Sequence, residues 1–245
     1  MNLSAPQPLV SGRLSRGRVA RIAGVSGLLM VAAIVVNGPL AAVFERYPAF
    51  WTSSAGADLQ AFLRDTQRVD RAVVVFALSN LIFIFSIPFF AGLRALVREA
   101  DPSAFLSGVV GIAVPLFLAG GLASEVLSHG MPIVVRSVPG YQLDLNTALM
   151  VQGLQYAALV QGQVALGVAL IALSIAGWSG GVLPKWVWWL GAAAGTIDLV
   201  RPLAVTSPPI LIATFVPTFL WIAAASIALI RRPHEADDLG EAVDG

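Results

Sequence analysis

Two pairs of ionisable side chains lie within stretches otherwise too apolar to hold a charge. In the stretch 185–202, KWVWWLGAAAGTIDLVRP, Asp198 and Arg201 are three residues apart, close enough on a helix to pair. A carboxylate in hydrocarbon costs at least ~2.5 kcal/mol unless it is paired or wetted, so this acid and base must face something other than lipid. Pro202 has no N–H, which leaves the carbonyl of Asp198 without its helical donor. Three chemistries fit the pair: a structural salt bridge, a ligand-binding or proton-handling site, or an Arg201 that snorkels outward to water. The second pair is Glu125 and His129, four apart and therefore on one helical face. Two such groups could ligate a metal, but a closed site wants three or four. His129 with Met131 or Met150 would be the matching haem idea. With two histidines and no cysteine in the chain, neither metal nor any other cofactor is expected.

Amides add to these charges. Gln152, Gln155 and Gln163 lie toward one side of their segment and Gln161 toward the other, so the first three are expected to face the interior. Asn37 and Asn80 interrupt two further apolar runs.

The segments that must position these groups are membrane-like. Of 245 residues, 57% are hydrophobic and 12% charged, against roughly a quarter charged in soluble domains. Mean hydropathy is +0.81. The absence of cysteine excludes disulfides, thiolate metal sites and thiol redox chemistry, and a net charge of +1 argues against nucleic acid as a partner. The lipid bilayer is the expected surrounding.

The pattern predicts an all-α polytopic bundle of six transmembrane helices plus a short extracytoplasmic interfacial helix. A polar segment, 1–19, precedes the six-span domain, 20–232, and an acidic tail, 233–245, reads as disordered. The first span is 22–44, with a break expected at Asn37-Gly38-Pro39. The run is too long for a signal peptide, and Leu40-Ala41-Ala42 is a poor cleavage site. Residues 54–68 put Ala55, Leu59, Phe62 and Leu63 on one face, which suggests a helix lying along the bilayer surface with Tyr47 and Trp51 nearby, or else a lid over a pocket. The second span is 72–93, and the third begins near Ala104 and ends in Ser124-Glu125-Val126-Leu127-Ser128-His129, with a break of the chain at Ser137-Val138-Pro139-Gly140. The fourth is 147–176, the fifth 185–202, and the sixth 210–230.

Trp186, Trp188 and Trp189 read as an interfacial belt. Alternating the loops puts Arg13, Arg16, Arg18, Arg21, Arg94, Arg98, Lys185, Arg231 and Arg232 on one side, which should be the cytoplasm, with both termini there. On this topology Asn37, Asn80, Glu125, His129, Gln152, Gln155, Asp198 and Arg201 all fall in the outer half of the bilayer, which suggests a shared polar cavity.

Gly191, Gly195, Asp198 and Pro202 fall within about 60° of one another on a helix. Small residues four apart let a neighbour approach closely, within the chain or in a homo-oligomer. Gly177-Trp178-Ser179-Gly180-Gly181 fits G-x-S-x-G and, in its first four residues, the serine motif of rhomboid proteases. A hydrolase elbow needs a preceding strand, and no later span carries a histidine, so this reads as a helix stop. Asn2-Leu3-Ser4 fits a glycosylation acceptor but is expected to be cytoplasmic.

Ala20-Arg21-Ile22-Ala23-Gly24, the passage through Asp70-Arg71 into the second span, Leu183-Pro184-Lys185-Trp186 and the basic stop at Arg231 together resemble a family of uncharacterised multi-span bacterial membrane proteins, a domain of unknown function. The resemblance implies a bacterial plasma membrane and transfers no catalytic residues. The expected function is binding of a small or lipid-like ligand, or of a partner membrane protein, with Asp198 and Arg201 orienting a polar head. The alternatives are an enzyme using Glu125 and Asp198 as acid and base on an isoprenoid-like substrate, and a proton-coupled transporter, for which no internal repeat speaks.

Overall fold

The computed structural model describes residues 15–41, 54–101, 103–138, 140–141, 144–204 and 208–232; at 204 and 208–214 it describes the backbone alone. Tyr47, Trp51, the segment 1–14 and the tail 233–245 lie outside the described residues. The elements are α1 (Arg16–Leu40), α2 (Ala55–Arg64), α3 (Thr66–Arg98), α4 (Phe105–Ser137), α5 (Leu145–Gly180), α6 (Lys185–Val200), a 3₁₀ turn (Arg201–Ala204) and α7 (Pro208–Ile230).

Four of these, α1, α3, α4 and α5, are long and apolar enough to cross a membrane. α6 has 16 residues, and the described apolar part of α7 is Phe215–Ile230. Apolar side chains also cover the outside: Ile84, Ile112, Leu116, Val126 and Ile175 are all more than half exposed. A water-soluble helix would carry polar groups there, so these faces need an apolar solvent.

Polar residues start the long helices and small residues set their spacing. Asp65 and Asp144 accept from the amides of Arg68 and Thr147, which caps α3 and α5. At the crossing of α4 and α5, a β-carbon on Gly120 would stand 2.7 Å from Cα of Gly162. Where α5 crosses α6, a β-carbon on either Gly167 or Gly195 would stand 2.7 Å from the other's carbonyl oxygen. Gly191 meets Trp221 and Ser174. Both glycines of the expected stripe are therefore used inside the chain, Gly195 against the α5 backbone and Gly191 beneath the side chains of Trp221 and Ser174.

Contacts near the helix ends fix which ends lie together. Gly24 meets Ser226 and Ile230, Gly92 meets Ala23, Gly180 meets Ala100, and Gly177 meets Trp188. These contacts gather the starts of α1, α4 and α6 with the ends of α3, α5 and α7. Arg16, Arg18, Arg21, Arg94, Arg98, Lys185, Arg231 and Arg232 thus share one end of the bundle. At the other end, Arg136 pairs with Asp70 at 3.0 Å. Between the ends, Phe89, Phe90, Phe117 and Trp221 pack ring to ring, with centroids 5.0 to 6.5 Å apart.

Several expectations are corrected. α1 does not break at Asn37-Gly38-Pro39 but continues to Leu40; proline removes one bond near the helix end, and the Ala41 amide bonds back to the carbonyls of Asn37 and Gly38. The helix expected over 54–68 ends at Arg64, because Asp65 turns extended to cap α3. Its apolar residues Leu59 and Phe62 are buried against Ala72, Met131 and Ala148, so α2 closes the end of the bundle and does not offer this face to lipid. Trp188 is buried against Gly177 and leaves the expected belt; Trp178 replaces it, edge-on to Trp189 and beneath the Lys185 ammonium. Gly181, at φ +60°, stops α5, as a glycine can do without strain, and Ser179 spends its hydroxyl on the carbonyl of Ala176.

Candidate functional site

α6 approaches α5 closely at Gly195, and this brings Asp198, one turn on, against the α5 backbone. Cβ of Asp198 lies 3.1 Å from where a β-carbon on Gly167 would be. From α7, the hydroxyl of Thr218 donates to Oδ2 of Asp198 at 3.0 Å. The carboxyl group is fully buried, and Oδ1 has no hydrogen-bond partner.

Pro202 cannot continue the α-helical ladder, and α6 gives way to the 3₁₀ turn at Arg201. The backbone at Arg201 itself is still α-helical, at φ −52° and ψ −39°, and its side chain points inward. It is 1% exposed, and its guanidinium carbon stands 4.1 Å from the ring centroid of Phe215. Nε, Nη1 and Nη2 are all buried, and none has a hydrogen-bond acceptor among the described residues. The Tyr156 hydroxyl and the Asp198 carboxyl group both lie within electrostatic range of it. Gln163, on α5, is four residues before Gly167 and so shares the face that meets α6. Its side-chain oxygen is also buried without a partner.

This geometry overturns two readings of the pair. Arg201 does not snorkel, since it is enclosed. Nor do Asp198 and Arg201 form a direct ion pair, because no Arg201 nitrogen comes within 4.0 Å of an Asp198 oxygen. Because the backbone at Arg201 is still α-helical, it is the long side chain that carries the guanidinium to Phe215 and away from the carboxyl group. A buried guanidinium with no anion beside it is unfavourable by several kcal/mol at order of magnitude. Such groups occur where something else supplies the acceptor.

The remaining polar residues form separate groups. His129 Nδ1 lies 3.0 Å from the carbonyl of Glu125 and 3.3 Å from its Oε2, and the ring meets Phe76 at 4.9 Å. Beside Glu125, Ser124 accepts from the Gln155 amide at 3.2 Å, and Gln152 is buried one turn away. Asn37 donates to Ser79 at 2.8 Å, and Asn80 spends its amide on the carbonyl of Phe76. Asn37–Ser79 and Gln155–Ser124 join helix to helix, whereas His129 with Glu125 and Asn80 with Phe76 each lie within one helix.

These groups are not one cavity. Asp198 sits at the level of Gly167 and Glu125 near the level of Gln155, so about 18 Å of α5 separates them at ~1.5 Å of rise per residue. Glu125 and Asp198 therefore do not face one reacting bond. Gln163, Thr218, Phe215 and Tyr156 were not among the expected site residues. Only Gln163 had a sequence signal, its spacing from Gly167; the others join through packing of α5 and α7 on α6. Among the described residues no three His, Cys, Asp or Glu side chains gather. Compared with protein-family models, with curated proteins and with solved structures, the chain matches none of them.

Proposed function

We propose that this chain is a six-span integral membrane protein of a bacterial plasma membrane, with both termini cytoplasmic, and that it binds a small or lipid-like ligand between α5, α6 and α7. The basic end of the bundle supports the orientation, since Lys and Arg accumulate on the cytoplasmic side. Asp198 then lies about 20 Å from Lys185 at ~1.5 Å per residue, past the midplane of a ~30 Å hydrocarbon core and in its outer half.

The observation that carries the reading is Arg201, buried with three nitrogen donors that no acceptor among the described residues meets. A planar fork of donors matches a carboxylate or phosphate oxygen pair. Oε1 of Gln163 and Oδ1 of Asp198, which also meet no partner among the described residues, supply acceptors for a hydroxyl or amide on the same ligand. Aliphatic and aromatic walls from three helices hold an apolar remainder.

Mass spectrometry of molecules extracted from the purified protein tests the reading. An acidic species retained by wild type, weakened in Arg201→Lys, which keeps the charge without the fork, and lost from a folded Arg201→Gln is the expected result. Identical extracts from wild type and Arg201→Gln overturn it.

A further inference from the structure

A second binding feature lies at the opposite, basic end of α6 and α7. A groove of about 590 Å³ runs between the turn that leads into α6 and the last turns of α7. This volume falls within the roughly 300–1,000 Å³ of small-ligand sites. Leu183 and Trp186 form one wall, Ala224 and Ile227 the other, and Arg231 and Arg232 line its end. Among the described residues, no acidic side chain lines it.

The charge at this end of the bundle is not spread evenly in availability. Arg16 is paired with Glu99 at 3.2 Å, Arg94 donates to the carbonyl of Ser107 at 2.9 Å, and Lys185 sits over the Trp178 ring. The Arg231 guanidinium has no such partner among the described residues and stands at the groove, where α7 has just ended. Trp186 and Ile227 are 59% and 40% exposed on the two walls, which leaves an apolar surface open to acyl chains.

We infer that this groove holds an anionic glycerophospholipid of the surrounding leaflet, with its phosphodiester at Arg231 and Arg232 and an acyl chain along Leu183, Ala224 and Ile227. An apolar channel ending in two guanidinium groups matches the two halves of such a lipid in the order in which they occur. A zwitterionic lipid carries its own cation beside the phosphate, which the arginines would repel. The site rests on the membrane placement of the chain and not on any ligand at Arg201. Basic residues near an anionic headgroup favour it by roughly fivefold each.

The test is the full chain in nanodiscs of mixed phosphatidylglycerol and phosphatidylcholine, with the bound lipid counted by native mass spectrometry after detergent release. Wild type is expected to retain phosphatidylglycerol preferentially. Arg231→Gln with Arg232→Gln lowers that preference by about tenfold or more, as two such residues imply, while Arg231→Lys with Arg232→Lys keeps most of it. Ala224→Phe, which fills the wall and leaves both charges, lowers retention of phosphatidylglycerol as well. Arg18→Gln with Arg98→Gln, basic positions outside the groove, leaves the preference intact. An unchanged preference in the Arg231/Arg232 glutamine variant overturns the site, and so does an equal loss in the Arg18/Arg98 variant, which would mark diffuse attraction to the whole basic end.

Discussion

The guanidinium of Arg201 lies on the ring of Phe215, 4.1 Å from its centroid, and this contact joins the 3₁₀ turn after α6 to α7 across a surface closed to solvent. A cation over an aromatic face in a desolvated setting contributes up to ~2 kcal/mol. Phe215→Leu keeps the apolar volume and removes the ring. It is therefore expected to destabilise the protein by ~1–2 kcal/mol, and much less when Arg201 is already Gln. A double-mutant cycle on thermal unfolding in detergent measures the coupling; additive effects would mean that the stacking contributes nothing.

Thr218 holds one oxygen of Asp198 in a site where the other has no partner. Thr218→Val is close in shape but cannot donate, and leaving a buried acceptor unmet costs ~1–3 kcal/mol. Thr218→Ser is expected to spare most of that. If valine proves as stable as threonine, the bond does not hold Asp198 in place.

Gly167 and Gly195 let α5 and α6 touch backbone to backbone. Valine at either position forces the helices apart, at a cost of ~1–3 kcal/mol or more, and moves Asp198 away from α5. Alanine at Gly108 or Gly130, where nothing lies within 4 Å, is expected to be tolerated. Expression and melting temperature of the four variants separate the two classes.

Asp101 and Asp144 lie in the turns outside the spans. The Ser107 amide and the Ser103 hydroxyl hold the Asp101 carboxyl group below its usual 3.8, and the amide and hydroxyl of Thr147 do the same for Asp144. A pKa depressed in the folded state stabilises above the unfolded value and loses that contribution as pH falls through the folded one. The melting temperature should therefore decline on acidification below about pH 4, and less steeply in Asp101→Asn and Asp144→Asn, which begin lower at neutral pH. An acid limb of the same slope in both variants would show that other groups set it.

Much of the architecture was legible in the sequence because hydrocarbon imposes a simple rule: long apolar runs become helices, and turns gather where Pro, Gly and charge interrupt them. The start of α5 close to Thr147, the stop near Gly181 and the grouping of basic residues at one end follow from residue types and alternation alone, whereas α3 starts at Thr66, six residues before the expected span, because Asp65 caps it. The inward stripe of α6 was legible too, since Gly191, Gly195 and Asp198 share a helical face and all are buried.

Which groups meet was decided only by tertiary structure. Spacing put Arg201 within reach of Asp198, and the helix runs unbroken between them, yet the guanidinium turns to a ring supplied by another helix. Equal distance along the chain from a loop suggested one depth for Glu125, His129 and Asp198; the long α4 and α5 cross with an offset set by Gly120 and Gly162, and that offset puts the two groups about 18 Å apart at ~1.5 Å per residue. Helical periodicity fixes the face on which a side chain lies, whereas its neighbour depends on where two backbones can approach, and that is settled by steric fit among all the helices together.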